Sequence, residues 1–193
     1  TWCVDGDYAG TFDVPTYRVG EALPEFTAPD QTDTDVALSS LQGAMSVVMF
    51  NGGEWCPPCR EAAAGSQALL EQMKAEDDRY DVGMVQLMID NGEFDVRSTL
   101  ESVTAWATMY GIEYPVLYGD EIDDYGELCF GDEWVERMFG IPAFWIVHPQ
   151  GQIRDFIQGS GQLTSADVLA SFEAFLADNP DWVRAPATPA VPE

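Results

Sequence analysis

Residues 46–50 carry the run Val47-Val48-Met49-Phe50, apolar on both faces of an extended chain, the pattern of a central strand covered on two sides. Residues 58–76 follow with Ala62, Ala63, Ala64, Ala68, Leu69, Leu70 and Met73, strong helix formers that make one helical stripe. A second buried strand is read over 82–89 and ends at Asp90-Asn91-Gly92. Residues 95–110 predict a second helix, with Val96, Leu100, Val103, Trp106, Ala107 and Tyr110 on its apolar side and Gly111 as its stop. A short strand over 114–118, a short helix over 134–139 ended by Gly140, and a strand over 143–147 come next. Pro149-Gln150-Gly151 then turns the chain into an antiparallel return over 152–158. The last element is an amphipathic helix over 165–177 through Val168, Leu169, Phe172, Phe175 and Leu176, capped by Thr164 or Ser165.

Ahead of this core, alternation over 20–27 and 36–43 predicts two short strands, with Ser39 or Ser40 capping a helical turn before Gly43. Residues 1–19 are expected to be an extended N-terminal arm, 20–178 the folded domain, and 179–193 a disordered Pro/Ala-rich tail. Alternating strands and helices followed by a hairpin predict an α/β fold: a mixed central sheet with helices on both faces.

Charge narrows the functional classes. Against 34 acidic residues there are 8 basic ones, a net charge of −26, with Lys74 the one lysine and His148 the one histidine. Such a surface repels phosphate backbones and anionic lipid, so no nucleic-acid partner is expected. No apolar stretch reaches the roughly 20 residues of a membrane span. Asp5, Asp7 and Asp13 read as a solvated turn and the acidic residues over 119–133 as a solvated loop, so no metal is assigned.

The chemistry lies in Trp55-Cys56-Pro57-Pro58-Cys59-Arg60, at the passage from the first central strand to its helix. Two cysteines at this spacing on a first helical turn reach disulfide distance, and the helix N-terminus favours the thiolate of the first. A zinc site needs a second pair of ligands, which the sequence lacks. Cys3 and Cys129 remain; an even count with two distant leftovers fits an oxidising compartment and a structural Cys3–Cys129 disulfide, the alternative being two buried free thiols.

In these residues the chain resembles the thioredoxin superfamily, in particular the extracytoplasmic thiol-disulfide oxidoreductases of the TlpA/ResA type, a branch close to the AhpC/TSA peroxiredoxins. The resemblance runs from about Gly20 to Leu176 and rests on Leu23-Pro24-Glu25-Phe26, Leu38-Ser39-Ser40-Leu41-Gln42-Gly43, the Trp-Cys-Pro-Pro-Cys-Arg core, the helix and strand inserted over 95–118, and Phe139-Gly140-Ile141-Pro142-Ala143-Phe144-Trp145-Ile146. It implies a thioredoxin-like three-layer fold with an N-terminal hairpin extension and a helix-strand insertion. It also implies a cis-proline loop, Ile141-Pro142, facing a redox-active Cys56–Cys59 disulfide, with no other cofactor. Cys56 is then the attacking thiolate, taken to be the more exposed, and Cys59 the resolving thiol. Trp55, Pro57, Pro58, Ile141 and Pro142 are expected to contact substrate. Where relatives keep a carboxylate, this chain has Phe50 and Ala62, which leaves Glu54 and Glu61 as candidate proton relays.

The expected partners are protein or peptide disulfides and an upstream electron donor, and the expected state is an extracytoplasmic monomer, any signal peptide having already been removed. Without a His between the cysteines, with Pro57 and Pro58 lacking N–H groups and Glu54 and Glu61 nearby, the dithiol is expected to be a reductant. Two alternatives stay open: a peroxiredoxin-like thiol peroxidase, against which Gly53 stands three residues before Cys56 in place of a threonine, and a redox-inactive binding module of the same fold.

Overall fold

In the computed structural model, the described residues are 19–23, 25–76, 81–91, 96–119, 122, 141–159 and 163–181. The expected N-terminal arm, the helix over 134–139, most of the acidic loop, most of the tail, and both Cys3 and Cys129 lie outside them.

Two short strands, β1 (Thr27–Pro29) and β2 (Asp35–Ala37), form an antiparallel hairpin. The main sheet has five strands: β3 (Ala44–Asn51), β4 (Asp81–Met88), β5 (Val116–Leu117), β6 (Ala143–Val147) and β7 (Ile153–Gln158). They lie in the order β5-β4-β3-β6-β7. β3 pairs in parallel with β4 and antiparallel with β6, so the strand that leads into the cysteines is central. The helices are α1 (Pro57–Glu76), α2 (Leu100–Tyr110) and α3 (Ser165–Asp178).

Side-chain alternation in β3 divides the core into two layers. Met45, Val47 and Met49 face α1, α2 and α3, meeting Ala63, Leu70, Met73, Val103, Trp106, Val168, Phe172 and Phe175. Val48 and Phe50 face the other way, onto Phe26, Ala28, Leu38, Trp145 and Ile122. The Phe50 and Trp145 rings meet edge to face with centroids 4.7 Å apart. This makes the mixed sheet of a three-layer α/β fold. Among the described residues the second layer is the hairpin, a 3-10 turn at Leu38–Leu41 and Ile122, which itself has helical backbone.

Four local expectations are corrected. The second helix begins at Leu100, not at 95, because Thr99 and Ser102 form a reciprocal capping box that fixes the start. Before it, Arg97 bridges to Asp90 in extended fashion, and the buried Ser98 hydroxyl donates to the Met88 carbonyl at 2.7 Å. Alternation over 36–43 is cut short at Ala37, since Leu38 turns under the sheet and is fully buried. That turn has no side-chain cap: Ser39 donates instead to Glu25 at 3.2 Å. In the stretch 20–27, Ala22 makes only an isolated bridge to Gln152, and the strand begins at Thr27. The last helix is capped by Thr164, in a capping box with Asp167.

Candidate active site

β3 ends in a polar residue. Asn51 is fully buried, and its side chain donates to the Cys59 carbonyl at 3.4 Å while its Oδ1 accepts from Gly53 N–H at 3.4 Å. Gly52 and Gly53 carry the chain from the strand to the helix in a tight passage. A Cβ on Gly52 would strike the Ile141 Cδ1 and come 2.8 Å from the Trp55 ring, and Gly53 has φ +98°, where an added Cβ would strike the Asn91 carbonyl oxygen and come 2.9 Å from that of Asp90.

Cys56 stands just before α1. Its carbonyl accepts the first helical bond, from Arg60 N–H at 3.1 Å, and its Sγ accepts from the Cys59 N–H at 3.3 Å, so the sulfur occupies the place of an N-cap oxygen. Pro57 and Pro58 fill the first two helical positions and offer no N–H, as their sequence requires. Cys59 Sγ lies 2.08 Å from Cys56 Sγ in a disulfide and accepts from Gly52 N–H at 3.5 Å.

Opposite the disulfide is the loop that enters β6. The Ile141–Pro142 bond is cis, and the Ile141 carbonyl oxygen lies 3.8 Å from Cys56 Sγ. Pro142 is buried and its carbonyl accepts from Gly159 N–H at 2.8 Å, which ties the loop to the end of β7.

Trp55, Cys56, Cys59, Ile141 and Pro142 therefore converge, while Pro57, Pro58, Glu54 and Glu61 are exposed around them. One expectation changes: Cys56 is not open to solvent but 2% exposed, against 0% for Cys59. The Trp55 and Ile141 side chains beside it are half-buried, and a partner must seat against them to reach the sulfur.

Sequence reasoning missed three members of this site. Asn51 and Gly52 bond to Cys59 as just described, and the third is Asp90. This carboxylate is 6% exposed and accepts from Trp55 Nε1 at 2.9 Å, fixing the indole next to Cys56. The available signal was a polar residue at the end of each apolar strand, Asn51 as the last residue of β3 and Asp90 just beyond β4. Nearby, burial raises the Tyr110 hydroxyl above its ordinary pKa, with Arg60 lowering it and Glu54 raising it further. No cluster of three or more His, Cys, Asp or Glu side chains able to hold a metal occurs among the described residues.

A disulfide at the N-terminus of a helix, following the central strand of a mixed sheet and facing a cis-proline, defines a thioredoxin-fold protein with a Cys-x-x-Cys site. The model of the AhpC/TSA family matches residues 19–156, and the chain belongs to that family. Solved structures agree on the fold. A member of the Sco family of cytochrome c oxidase assembly proteins is 19% identical, with a TM-score of 0.61 over 79% of this chain and 92% of its own. The thioredoxin domain of a thiol-disulfide oxidoreductase from Bacteroides vulgatus is 19% identical, with a TM-score of 0.56 over 81% and 96%. A peroxidoxin from Mycobacterium tuberculosis is 19% identical, with a TM-score of 0.56 over 81% and 97%. No curated protein matches the chain.

Proposed function

We propose that this chain is a thiol-disulfide oxidoreductase that reduces disulfides in proteins or peptides through Cys56 and Cys59. The observation that carries the reading is the placement of Cys56 Sγ, 3.3 Å from the Cys59 N–H and 3.8 Å from the Ile141 carbonyl. In the reduced protein the Cys56 thiolate attacks one substrate sulfur in line with the substrate S–S bond. The substrate bond breaks, its second sulfur leaves as a thiolate, and a mixed disulfide with Cys56 forms. Cys59 gives its proton to water and attacks Cys56 Sγ, which releases the first substrate sulfur and restores the Cys56–Cys59 disulfide. Two electrons pass to the substrate, and an upstream dithiol donor returns them.

Water is the proton acceptor in this reading because Glu54 and Glu61, the relays expected from sequence, are both exposed. Trp55, Pro57, Pro58, Ile141 and Pro142 form the platform that receives the substrate strand. The folded unit is the domain 20–178, acting as a monomer in an extracytoplasmic compartment, where a Cys3–Cys129 disulfide would persist. No described helix is long and apolar enough to cross a membrane.

Reduction of a polypeptide disulfide such as that of insulin, with a dithiol donor, tests the reading. Cys56→Ser is expected to abolish the reaction, and Cys59→Ser to trap the mixed disulfide. Equal activity of the Cys56→Ser protein would refute it, as would a reduction potential as oxidising as about −120 mV for the reductive direction.

A further inference from the structure

The exchange site described above sits in an unusual field. The whole chain carries −26, and its one lysine, Lys74, lies in the last turn of α1, about 27 Å along the helix from Cys56 at 1.5 Å per residue. Lys74 is also paired with Glu71 at 3.2 Å. At the dithiol end of α1 the described charged side chains are Glu54, Arg60, Glu61 and Asp90, with Arg97 bridged to Asp90, three acidic against two basic. Arg60 and Glu54 act oppositely on the same Tyr110 hydroxyl, so that positive charge is offset locally by its neighbour, and Arg97 stands across its bridge from the acidic Asp90. The surface that meets a substrate directly, Trp55, Pro57, Pro58 and Ile141, has no charge of its own. Trp55 donates its indole N–H to the Asp90 carboxylate at 2.9 Å, and an indole so engaged is an electron-rich face for a cation.

We infer that the physiological substrates are disulfides flanked by lysine or arginine, drawn to Cys56 by Glu54, Glu61 and Asp90 and seated with the basic side chain on Trp55. This rests on the exchange reading and gives it a substrate class. Charge complementarity of this kind acts on the rate of encounter and on discrimination between partners, and it fades with salt. The chemistry is the two-step exchange already given, with the dithiol supplying both electrons.

The test needs no physiological partner. Reduced protein, freed of reductant, is mixed with cystamine, bis(2-hydroxyethyl) disulfide or 3,3′-dithiodipropionate: a dication, a neutral molecule and a dianion. Remaining Cys56 and Cys59 thiols are counted by alkylation and mass measurement. Each rate constant is divided by that of dithiothreitol, an uncharged dithiol, with the same disulfide, which removes differences in the disulfides' own reactivity. At low ionic strength the normalised rate for cystamine is expected to exceed that for dithiodipropionate at least ~10-fold. The ratio should fall toward ~2 in 1 M salt, where the screening length is about 3 Å. The Glu54→Gln/Glu61→Gln protein, altered at two exposed positions, and the Asp90→Asn protein should each show a smaller ratio than the parent. Equal normalised rates, or a ratio insensitive to salt and to all three substitutions, would overturn the inference while leaving exchange intact. Failure of the neutral disulfide to react at all would overturn the exchange reading beneath it.

Discussion

His148 offers a test of the fold that is independent of the dithiol. It follows β6 directly and is 1% exposed; its ring packs edge to face on Phe175 at 4.6 Å, and its Nε2 lies 3.1 Å from the Ser171 carbonyl and 3.3 Å from the Ser171 hydroxyl. Burial, partly opposed by the Ser171 hydrogen bond, pushes its pKa from 6.5 down to about 4. A histidine depressed in the fold contributes its full stability above pH 6.5. As pH falls, the unfolded chain binds the proton first, so stability is lost from 6.5 down to about 4. The linkage relation gives a loss of about 2 kcal/mol by pH 5 and about 3 kcal/mol by pH 4. Acidification also relieves the self-repulsion of a chain at −26, which works in the opposite direction. The two effects separate by difference. Urea unfolding of the parent and of His148→Gln between pH 7.5 and 4 leaves the carboxylates common to both, and only the parent carries the imidazole. The gap between the two stabilities is expected to shift against the parent by those amounts. Parallel stability curves over the whole range would refute the assignment of a buried neutral imidazole.

Two further substitutions probe the framework of the site. Gly53→Ala places a Cβ at φ +98° against the Asn91 carbonyl, backbone that cannot swing aside, so a stability loss on the order of 3 kcal/mol is expected in urea unfolding, with slower disulfide exchange in the folded fraction. Tyr114→Phe removes a hydroxyl that donates to Ser66 at 2.6 Å and lies 3.5 Å from Gln86 Oε1 in the buried interior. It should cost about 1 to 2 kcal/mol by the same measurement, with no change in exchange rate.

The reach of the sequence follows the range of the interactions involved. The cysteines, the two prolines and the strand before them were legible because a redox dithiol needs its residues within one helical turn, and β3 is apolar on both faces because it is central. Thr164 was legible as a cap for the same local reason. Asp90 was not, since its role is set by a contact with Trp55 across 35 residues, and along the chain it reads as an ordinary strand-ending turn residue. The start of α2 was misplaced because Val96 continues the apolar period of the helix, whereas the side chains of Thr99 and Ser102 decide where the helical bonds begin. The burial of Cys56 was hidden for a similar reason. It depends on Ile141, 85 residues away, and the local sequence shows only a helix start.

The same contacts bear on the direction of electron flow. A dithiol is oxidising when its attacking thiolate is stabilised more than its disulfide, and reducing when that stabilisation is withheld. At Cys56 the first two helical positions are Pro57 and Pro58, so of the N–H groups that a helix start presents, the Cys59 N–H is the one found on the sulfur. The Ile141 carbonyl, 3.8 Å away, turns its negative end toward the same atom. Cys59 Sγ receives Gly52 N–H at 3.5 Å, a comparable donor, so each sulfur of the disulfide has one backbone N–H on it. What distinguishes the proposed attacking sulfur is its position against Ile141 and Trp55, the platform proposed for the substrate. A first sulfur with few donors is denied the stabilisation that an oxidant needs, which is the reasoning behind the proposed reductive direction.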